Sequence, residues 1–411
     1  MTETGKAIND FLHRHHGEQV AFLAELVRMP SDNPPGDCAP HAEVTASLLE
    51  ELGFQVERHP VPTDEARTHG MQSAVNLIIR RRFGEGPTVV LNAHGDVVAP
   101  GEGWTVDPYG AEIQGGVMYG RGVAVSKSDI ATYAFALLAL EPLAEHLRGG
   151  VELHITYDEE AGGGIGPAWL LAQGLSKPDF AVAAGFSYGV VSHHNGCLHL
   201  EVVVDGRSAH AAQPDSGVDA LEAATGVLNA LYRHRETLRA RHSEVAGIEA
   251  PSLVVGLISG GINTNVVPDR VILRLDRRLI PEEEPEAVET DLVALVGEAV
   301  AAYPGASCHV RRIMLARPLV PVGGALDLAG LFAHHASAIF GMDVPVHGVP
   351  LYTDARHYAE AGIPTVLYGA GPRTLLEANA HRANERLALE DLYRATHVVA
   401  LSLFDLLARD S

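Results

Sequence analysis

Two kinds of hydrophobic pattern alternate along most of the chain. Apolar residues at helical spacing predict helices over residues 18–29, 41–52, 129–140, 167–173, 326–340 and 389–407. Short apolar runs bounded by glycine or charge predict strands over residues 74–80, 88–92, 117–119, 151–157 and 364–368. Strands that alternate with helices favour an α/β catalytic domain, in which a mainly parallel central sheet is flanked by helices.

The middle of the chain has a different order of elements. Residues 198–204 alternate strictly, with Leu198, Leu200 and Val202 on one face and His199 and Glu201 on the other. A helix over 219–238, strands over 252–258 and 271–275, and a helix over 281–301 follow. This order predicts a small α+β domain over residues 197–308, inserted into a catalytic domain formed by residues 1–196 and 309–411.

The amino-acid composition restricts which classes of molecule the protein is expected to bind. The chain has 411 residues, of which 52 are acidic and 30 basic, so its formal net charge is -22. This excess of negative charge disfavours nucleic acid and anionic membranes as partners, because both are bound through clustered Lys and Arg. Three widely spaced cysteines, no leader-like start and no apolar run long enough to span a membrane lead us to expect a reduced, cytoplasmic protein.

Three groups of metal-binding residue types follow predicted strands. His94 and Asp96 come after the strand at 88–92, and the aspartate could accept a hydrogen bond from the imidazole and orient it. Glu159 and Glu160 follow the strand at 151–157, and His381 follows the strand at 364–368. Since open α/β sheets bind ligands at the carboxyl ends of their strands, the three groups together predict a metal site.

These segments resemble a known family over nearly the full length of the chain. The chain is similar to the zinc metallopeptidase and deacylase family that includes acetylornithine deacetylase, succinyl-diaminopimelate desuccinylase, aminoacylase and carboxypeptidase G. The resemblance rests on an ordered set of segments: residues 30–36, 94–96, 120–122 with Lys127, 158–163, 208–210, 260–269, 276–278, 353–355 and His381.

The resemblance implies a role for each matching residue. His94 would bind one metal ion, oriented by Asp96, while Glu160 and His381 would bind the other. Glu159 would be the general base and acid. The inserted, ferredoxin-like domain would form a homodimer, and its His210 would reach the partner's site to hold the oxyanion. Asn265 and Arg278 would bind a substrate carboxylate, a task that suits a planar guanidinium.

The chain departs from the family at two metal-binding positions. Val125 occupies the place of the aspartate that bridges two metals, and Phe186 occupies the place of a further carboxylate. We therefore expect one metal per chain, with zinc favoured and manganese or cobalt as alternatives. Its third ligand beside Glu160 and His381 is open: His94 on a shifted metal, Asp129, or the pair His193 and His194. Asp129 could instead cap the helix that begins there.

The predicted activity is hydrolysis of a carbon–nitrogen amide bond in a small carboxylate-bearing substrate, such as an N-acyl amino acid or a dipeptide. Two alternatives remain open at this point. Phe186 beside the site, if it binds substrate instead of packing in the core, would suit hydrolytic deamination of an aromatic or heterocyclic amine. A catalytically inactive, small-molecule-binding homologue is the other alternative, and the presence of Glu159 speaks against it, because a binder needs no general base.

Overall fold

A computed structural model describes residues 3–409 and divides the chain into two compact units. The first unit comprises Met1–Ser192, Pro321–His347 and Thr353–Ser411, and the second comprises His193–Val320 with Gly348–Tyr352. The predicted insertion at residues 197–308 lies within the second unit, and its assignment as a functional domain stays a prediction. Within residues 3–409, no helix combines the length and the apolar character needed to cross a membrane.

The first unit is organised around an eight-stranded sheet in the order β1-β2-β6-β3-β7-β14-β8-β13. Its strands are β1 (Val56–Pro60), β2 (Val75–Arg82), β3 (Thr88–His94), β6 (Gly150–Thr156), β7 (Phe180–Ala183), β8 (Val190–His194), β13 (Val346–Val349) and β14 (Thr365–Leu367). The central strands β6, β3, β7 and β14 are parallel to one another, whereas β1, β2 and β8 pair antiparallel outside them. Three short strands form a separate sheet: β4 (Glu112–Gln114), β5 (Val117–Tyr119) and β15 (Arg386–Ala388).

Helices cover this sheet, as the α/β prediction requires. They are α1 (Glu3–Arg28), α2 (Ala39–Glu51), α3 (Thr63–Thr68), α4 (Lys127–Leu140), α5 (Pro167–Ala172), α8 (Ala325–Phe340), α9 (Ala355–Glu360) and α10 (Leu389–Leu407). Helix α4 is buried at almost every position because it packs between α1, α10 and β3. An apolar sequence on all sides of a helix is stable only in such a fully enclosed place.

The second unit is a ferredoxin-like α+β fold. Its elements in chain order are β9 (Gly196–Asp205), α6 (Ala220–Leu238), β10 (Ser252–Gly260), β11 (Arg270–Leu279), α7 (Pro285–Ala301) and β12 (Ser307–Ala316). The strands form an antiparallel sheet in the order β10-β11-β9-β12. Alternation in β9 places Leu198, Leu200, Val202 and Val204 in the core beside α6 and α7, and leaves His199 and Glu201 on the opposite face.

The structure corrects several predicted boundaries. Helix α1 begins at Glu3 and not near residue 18, because its amino-terminal half also buries an apolar stripe that contains Ile8 and Leu12. Helix α7 begins at Pro285 and not at residue 281, because a helix that began at 281 would place Pro285 in its interior, where proline has no N–H to donate. Strands β1 and β12 have no counterpart in the sequence prediction.

Candidate metal centre

Parallel strand pairing brings the first two predicted groups together. His94 is the last residue of β3 and lies opposite Thr156, the last residue of the neighbouring strand β6. Three residues beyond Thr156, a single turn of 3-10 helix begins and spans Glu159–Ala161. Both groups therefore lie at the carboxyl edge of the same sheet, where open α/β sheets form their ligand crevices.

Asp96 contacts residues from both groups at this sheet edge. Its Oδ1 lies 3.3 Å from His94 Nδ1, while the backbone carbonyl of Asp96 lies 2.9 Å from the same nitrogen. Its two carboxylate oxygens also accept the backbone N–H groups of Glu159 and Glu160, at 3.3 and 3.2 Å, and Asn33 donates to it at 2.9 Å. With Nδ1 engaged in this way, Nε2 of His94 is directed toward the glutamates and suited to bind a metal.

Four side chains of the first unit form a continuous cluster of nitrogen and oxygen donors. The donor atoms of His94, Glu159 and Glu160 all lie within 4.8 Å of one another, and His94 Nε2 is 3.9 Å from Glu159 Oε2. His381 Nε2 lies 3.2 Å from Glu160 Oε1. Carboxylate and imidazole donors at this spacing fit a divalent ion of the zinc, manganese or cobalt type.

Burial and neighbouring charges shift the pKa values of three residues in the cluster. Burial raises the pKa of Glu159 to about 7, with the His94 imidazole opposing the shift and the Glu160 carboxylate adding to it. Burial alone would lower the pKa of His94, but its hydrogen bond to Asp96 and the nearby glutamates raise that pKa well above the ordinary value. The hydrogen bond to Glu160 likewise raises the pKa of His381.

Asp354 is a further carboxyl group beside the cluster, and no role was predicted for it from the sequence. It is buried, and burial together with the charge of Glu159 raises its pKa to about 7. Its neighbour Arg356 donates to the carbonyl oxygens of Gly162 and Thr353, which fastens the loop after Glu159–Ala161 to the start of α9. The one sequence signal for Asp354 was its position in the segment 353–355, which matches the family.

The segment around Val125 is supported by another residue that had no assigned role. Val125 is half-buried and packs against the main hydrophobic core. Glu385 accepts the backbone N–H groups of Ala124 and Val125 at 3.0 and 3.2 Å, and it pairs with Arg121 at 2.6 Å. The Glu385 carboxylate is fully buried in these contacts, so it stabilises the turn on which the family resemblance would place a bridging aspartate.

The carboxylate of Asp129 contacts backbone groups of two loops. It is buried in the first turn of α4, and its Oδ1 accepts the N–H of Ala370 at 2.7 Å. Burial raises the pKa of Asp129 to about 7, against the effect of hydrogen bonds from Ala370 and Gly185. Phe186, in the loop after β7, is half-buried and forms an isolated backbone bridge with Gly371. The roles of Asp129 and Phe186 as ligand and substrate contact stay predictions.

Three predicted site residues belong to the second unit. His210 and Asn265 are exposed neighbours there: His210 bridges Val266, and the carbonyl of Asn265 accepts the N–H of Ala211 at 3.0 Å. Arg278 lies elsewhere in the unit, where it donates to both oxygens of Asp276 at 3.0 and 3.2 Å.

The two histidines proposed as alternative ligands are the last two residues of β8, where the second unit begins along the chain. His194 is buried, and its Nδ1 lies 2.9 Å from the carbonyl of Asn195 and accepts the N–H of Leu319 at 3.3 Å. Burial lowers the pKa of His193.

Comparison with known proteins agrees with this architecture. Residues 90–405 match the family model described as peptidase family M20/M25/M40. A succinyl-diaminopimelate desuccinylase from Wolinella succinogenes is 28% identical over 390 residues, covering 87% of this chain and 98% of the relative. An acetylornithine deacetylase from Myxococcus xanthus is 28% identical over 384 residues, covering 92% of this chain and 95% of the relative.

Solved structures share the fold at lower identity. An M20 family metallo-carboxypeptidase from Sulfolobus solfataricus has a TM-score of 0.75 at 19% identity, covering 95% of this chain and 100% of that one. An aminopeptidase from Bacillus cereus has a TM-score of 0.72 at 22% identity, covering 95% and 98%. The matches confirm the resemblance seen in the sequence and the predicted fold class. The chain belongs to peptidase family M20/M25/M40, and it is a metal-dependent hydrolase of carbon–nitrogen amide bonds.

Proposed function

We propose that this protein uses one divalent ion per chain to hydrolyse the amide bond of a small carboxylate-bearing substrate, such as an N-acyl amino acid or a dipeptide. One observation carries the proposal. His94, Glu159 and Glu160 converge within 4.8 Å and His381 adjoins Glu160, whereas Val125 and Phe186 offer no donor where the family would supply two carboxylates. The remaining donors suffice for one catalytic ion, which typically has three protein ligands.

We assign His94, Glu160 and His381 as the ligands of this ion. Their nitrogen and oxygen donors fit zinc, which we favour, and the absence of a thiolate among them keeps manganese and cobalt as alternatives. Such an ion, when bound, supplies a Lewis acid that activates water and polarises the scissile carbonyl. Asp96 positions His94 and also fixes the backbone of the glutamate turn, so one carboxylate orders both sides of the site.

Glu159 is the proposed general base and acid. Its pKa of about 7 allows it to accept a proton from the attacking water and to return that proton to the leaving nitrogen. His210 would hold the developing oxyanion, and Arg278 with Asn265 would bind the substrate carboxylate. The named activities of the relatives, desuccinylation and deacetylation, support an acylated amino acid as the substrate class.

A homodimer formed through the second unit belongs to the same proposal. Strand β10 is an outer strand of the β10-β11-β9-β12 sheet and has no charged residue. Leu257 and Ile258 on it are 60% and 56% exposed, and Ile262 just beyond it is 79% exposed. The opposite edge strand, β12, carries Arg311 and Arg312, which protect an edge from pairing. An uncharged, apolar edge favours pairing with a second copy.

The three cysteines, which form no disulfide bonds, support a cytoplasmic location for the protein.

Turnover of a panel of N-acetyl and N-succinyl amino acids, dipeptides and aryl amines tests the activity. We expect zinc- or manganese-dependent release of an amino acid, abolished in Glu159→Gln and unchanged in Glu145→Gln, whose side chain is 84% exposed. Release of ammonia from the aryl amines alone would overturn the proposal in favour of deamination. Binding without turnover of any amide would overturn it in favour of an inactive homologue.

A further inference from the structure

A cysteine, a histidine and an aspartate meet on the face of the second unit's sheet that lies opposite its helices. Cys197 and His199 are two residues apart on β9, so their side chains project to the same face. The antiparallel register pairs His199 with Asp276 and Cys197 with Arg278 on β11. Directly opposed residues have their Cβ atoms close together, which places three potential metal donors side by side.

The distances between these donors are short enough for a shared ion. His199 Nε2 lies 3.0 Å from Asp276 Oδ2, and the Cys197 thiol donates to the same oxygen at 3.8 Å. All three donor atoms lie within 4.8 Å of one another. The thiol is fully buried, whereas the side chains of His199 and Asp276 are 35% and 30% exposed. The sulfur therefore lies at the buried end of the cluster, and solvent and ions reach the cluster from the partly exposed side chains of His199 and Asp276.

The surroundings suit a ligating carboxylate. Arg278 donates through Nε to Asp276 Oδ1 at 3.0 Å and through a terminal nitrogen to Oδ2 at 3.2 Å. Metal-binding carboxylates are commonly held by such additional hydrogen bonds. When an ion binds, the thiol proton and the proton on His199 Nε2 leave, and both donors stop occupying Asp276 Oδ2. That oxygen then has a lone pair free for the ion.

We propose that Cys197, His199 and Asp276 form a second metal site, separate from the candidate catalytic centre, for a thiophilic divalent cation of the zinc class. One thiolate, one imidazole and one carboxylate match zinc and cadmium in ligand softness. The two negative charges neutralise the charge of the ion, and the exposed side leaves a coordination position for water. The candidate catalytic centre has no sulfur donor, so the two sites differ in spectroscopic signature as well as in position.

Titration of the full-length protein with cadmium, followed by ultraviolet absorption, tests the proposal. We expect a thiolate-to-cadmium absorption band that saturates at one equivalent, is lost in Cys197→Ser and is weakened in His199→Gln. Two matched variants should retain the band: Cys308→Ser, which removes the other cysteine of this unit, and His381→Ala, which damages only the candidate catalytic centre. Far-ultraviolet circular dichroism checks that each variant is folded.

The role of Arg278 gives an independent measurement. Since Arg278 would hold the ligating carboxylate without binding the ion itself, Arg278→Gln should retain the band and weaken cadmium affinity by about 10-fold. A band that persists in Cys197→Ser, or the absence of any band with excess cadmium, would overturn the site. The second result would mean that the three residues form only an ion pair beside a buried thiol. Neither result bears on amide hydrolysis, which is measured separately.

Discussion

Replacing Asp129 with asparagine decides whether this carboxylate supports two loops or binds the metal. Burial raises its pKa from 3.8 to about 7. Between these values the folded protein binds more protons than the unfolded chain, so wild-type stability falls as the pH rises. Asparagine keeps an oxygen that can accept the N–H of Ala370, and it has no charge to bury. The variant should therefore gain stability relative to wild type as the pH rises.

The size of this gain follows from the two pKa values. Each pKa unit corresponds to roughly 1.4 kcal/mol, so the shift from 3.8 to about 7 gives a difference of about 4 kcal/mol, accumulated between roughly pH 4 and pH 7. Urea unfolding of both proteins at several pH values measures it. Asp129→Ala is the control: it also has no charge, but it leaves the buried N–H of Ala370 without its acceptor, at a cost of about 1–3 kcal/mol relative to asparagine.

The opposite result would refute this reasoning. A carboxylate that binds a cation is ionised in the folded protein, so its replacement by asparagine would lower stability and remove bound metal. If Asp129→Asn loses a metal equivalent, or becomes less stable relative to wild type as the pH rises, Asp129 is a ligand and our account of the two loops is wrong.

Three further predictions concern other parts of the molecule. Glu159→Gln should lower kcat by roughly 10²–10⁴-fold and leave metal content unchanged, as steady-state kinetics and mass spectrometry would show; lost metal would make Glu159 a ligand. Burial lowers the pKa of Lys127 from 10.5 to about 7, so the unfolded chain binds more protons between these values and wild-type stability should rise with pH there. Lys127→Met should reduce the increase of unfolding free energy with pH, as measured by urea unfolding. An unchanged increase would contradict a lowered pKa for Lys127. Ile258→Lys should convert the proposed homodimer to monomers in analytical ultracentrifugation, whereas Ile313→Lys on the opposite edge strand should not; dimers in both variants would exclude β10 as the interface.

Local hydrophobic patterns were sufficient to predict those helices and strands whose own residues show a regular arrangement of apolar positions. Helix α10 occupies the predicted residues 389–407, because its apolar stripe is regular from end to end. Strands β3 and β6 were equally clear, since runs of buried residues bounded by glycine or charge allow few alternatives. From these strands the positions of His94 and the glutamate pair at one sheet edge could be predicted.

Elements and contacts that depend on distant residues could not be predicted in this way. Strand β1 has the mostly polar sequence Val56–Pro60 and exists because β2 offers it an edge. Strand β12 carries Arg311, which pairs with Glu201 across the sheet and gives no apolar alternation on its outer face. Glu385 supports the turn at Val125 across more than 250 residues of sequence, so only the folded chain reveals that contact.

The number of metal ions per chain tests the central claim most directly. It should be measured by mass spectrometry after dialysis against excess zinc, in the Cys197→Ser background so that the proposed second site does not contribute. We predict one equivalent, lost when His381→Ala is added and kept when Val125→Ala is added. Two equivalents in the Cys197→Ser protein would contradict the single-metal account and mean that another group replaces the carboxylates absent at Val125 and Phe186.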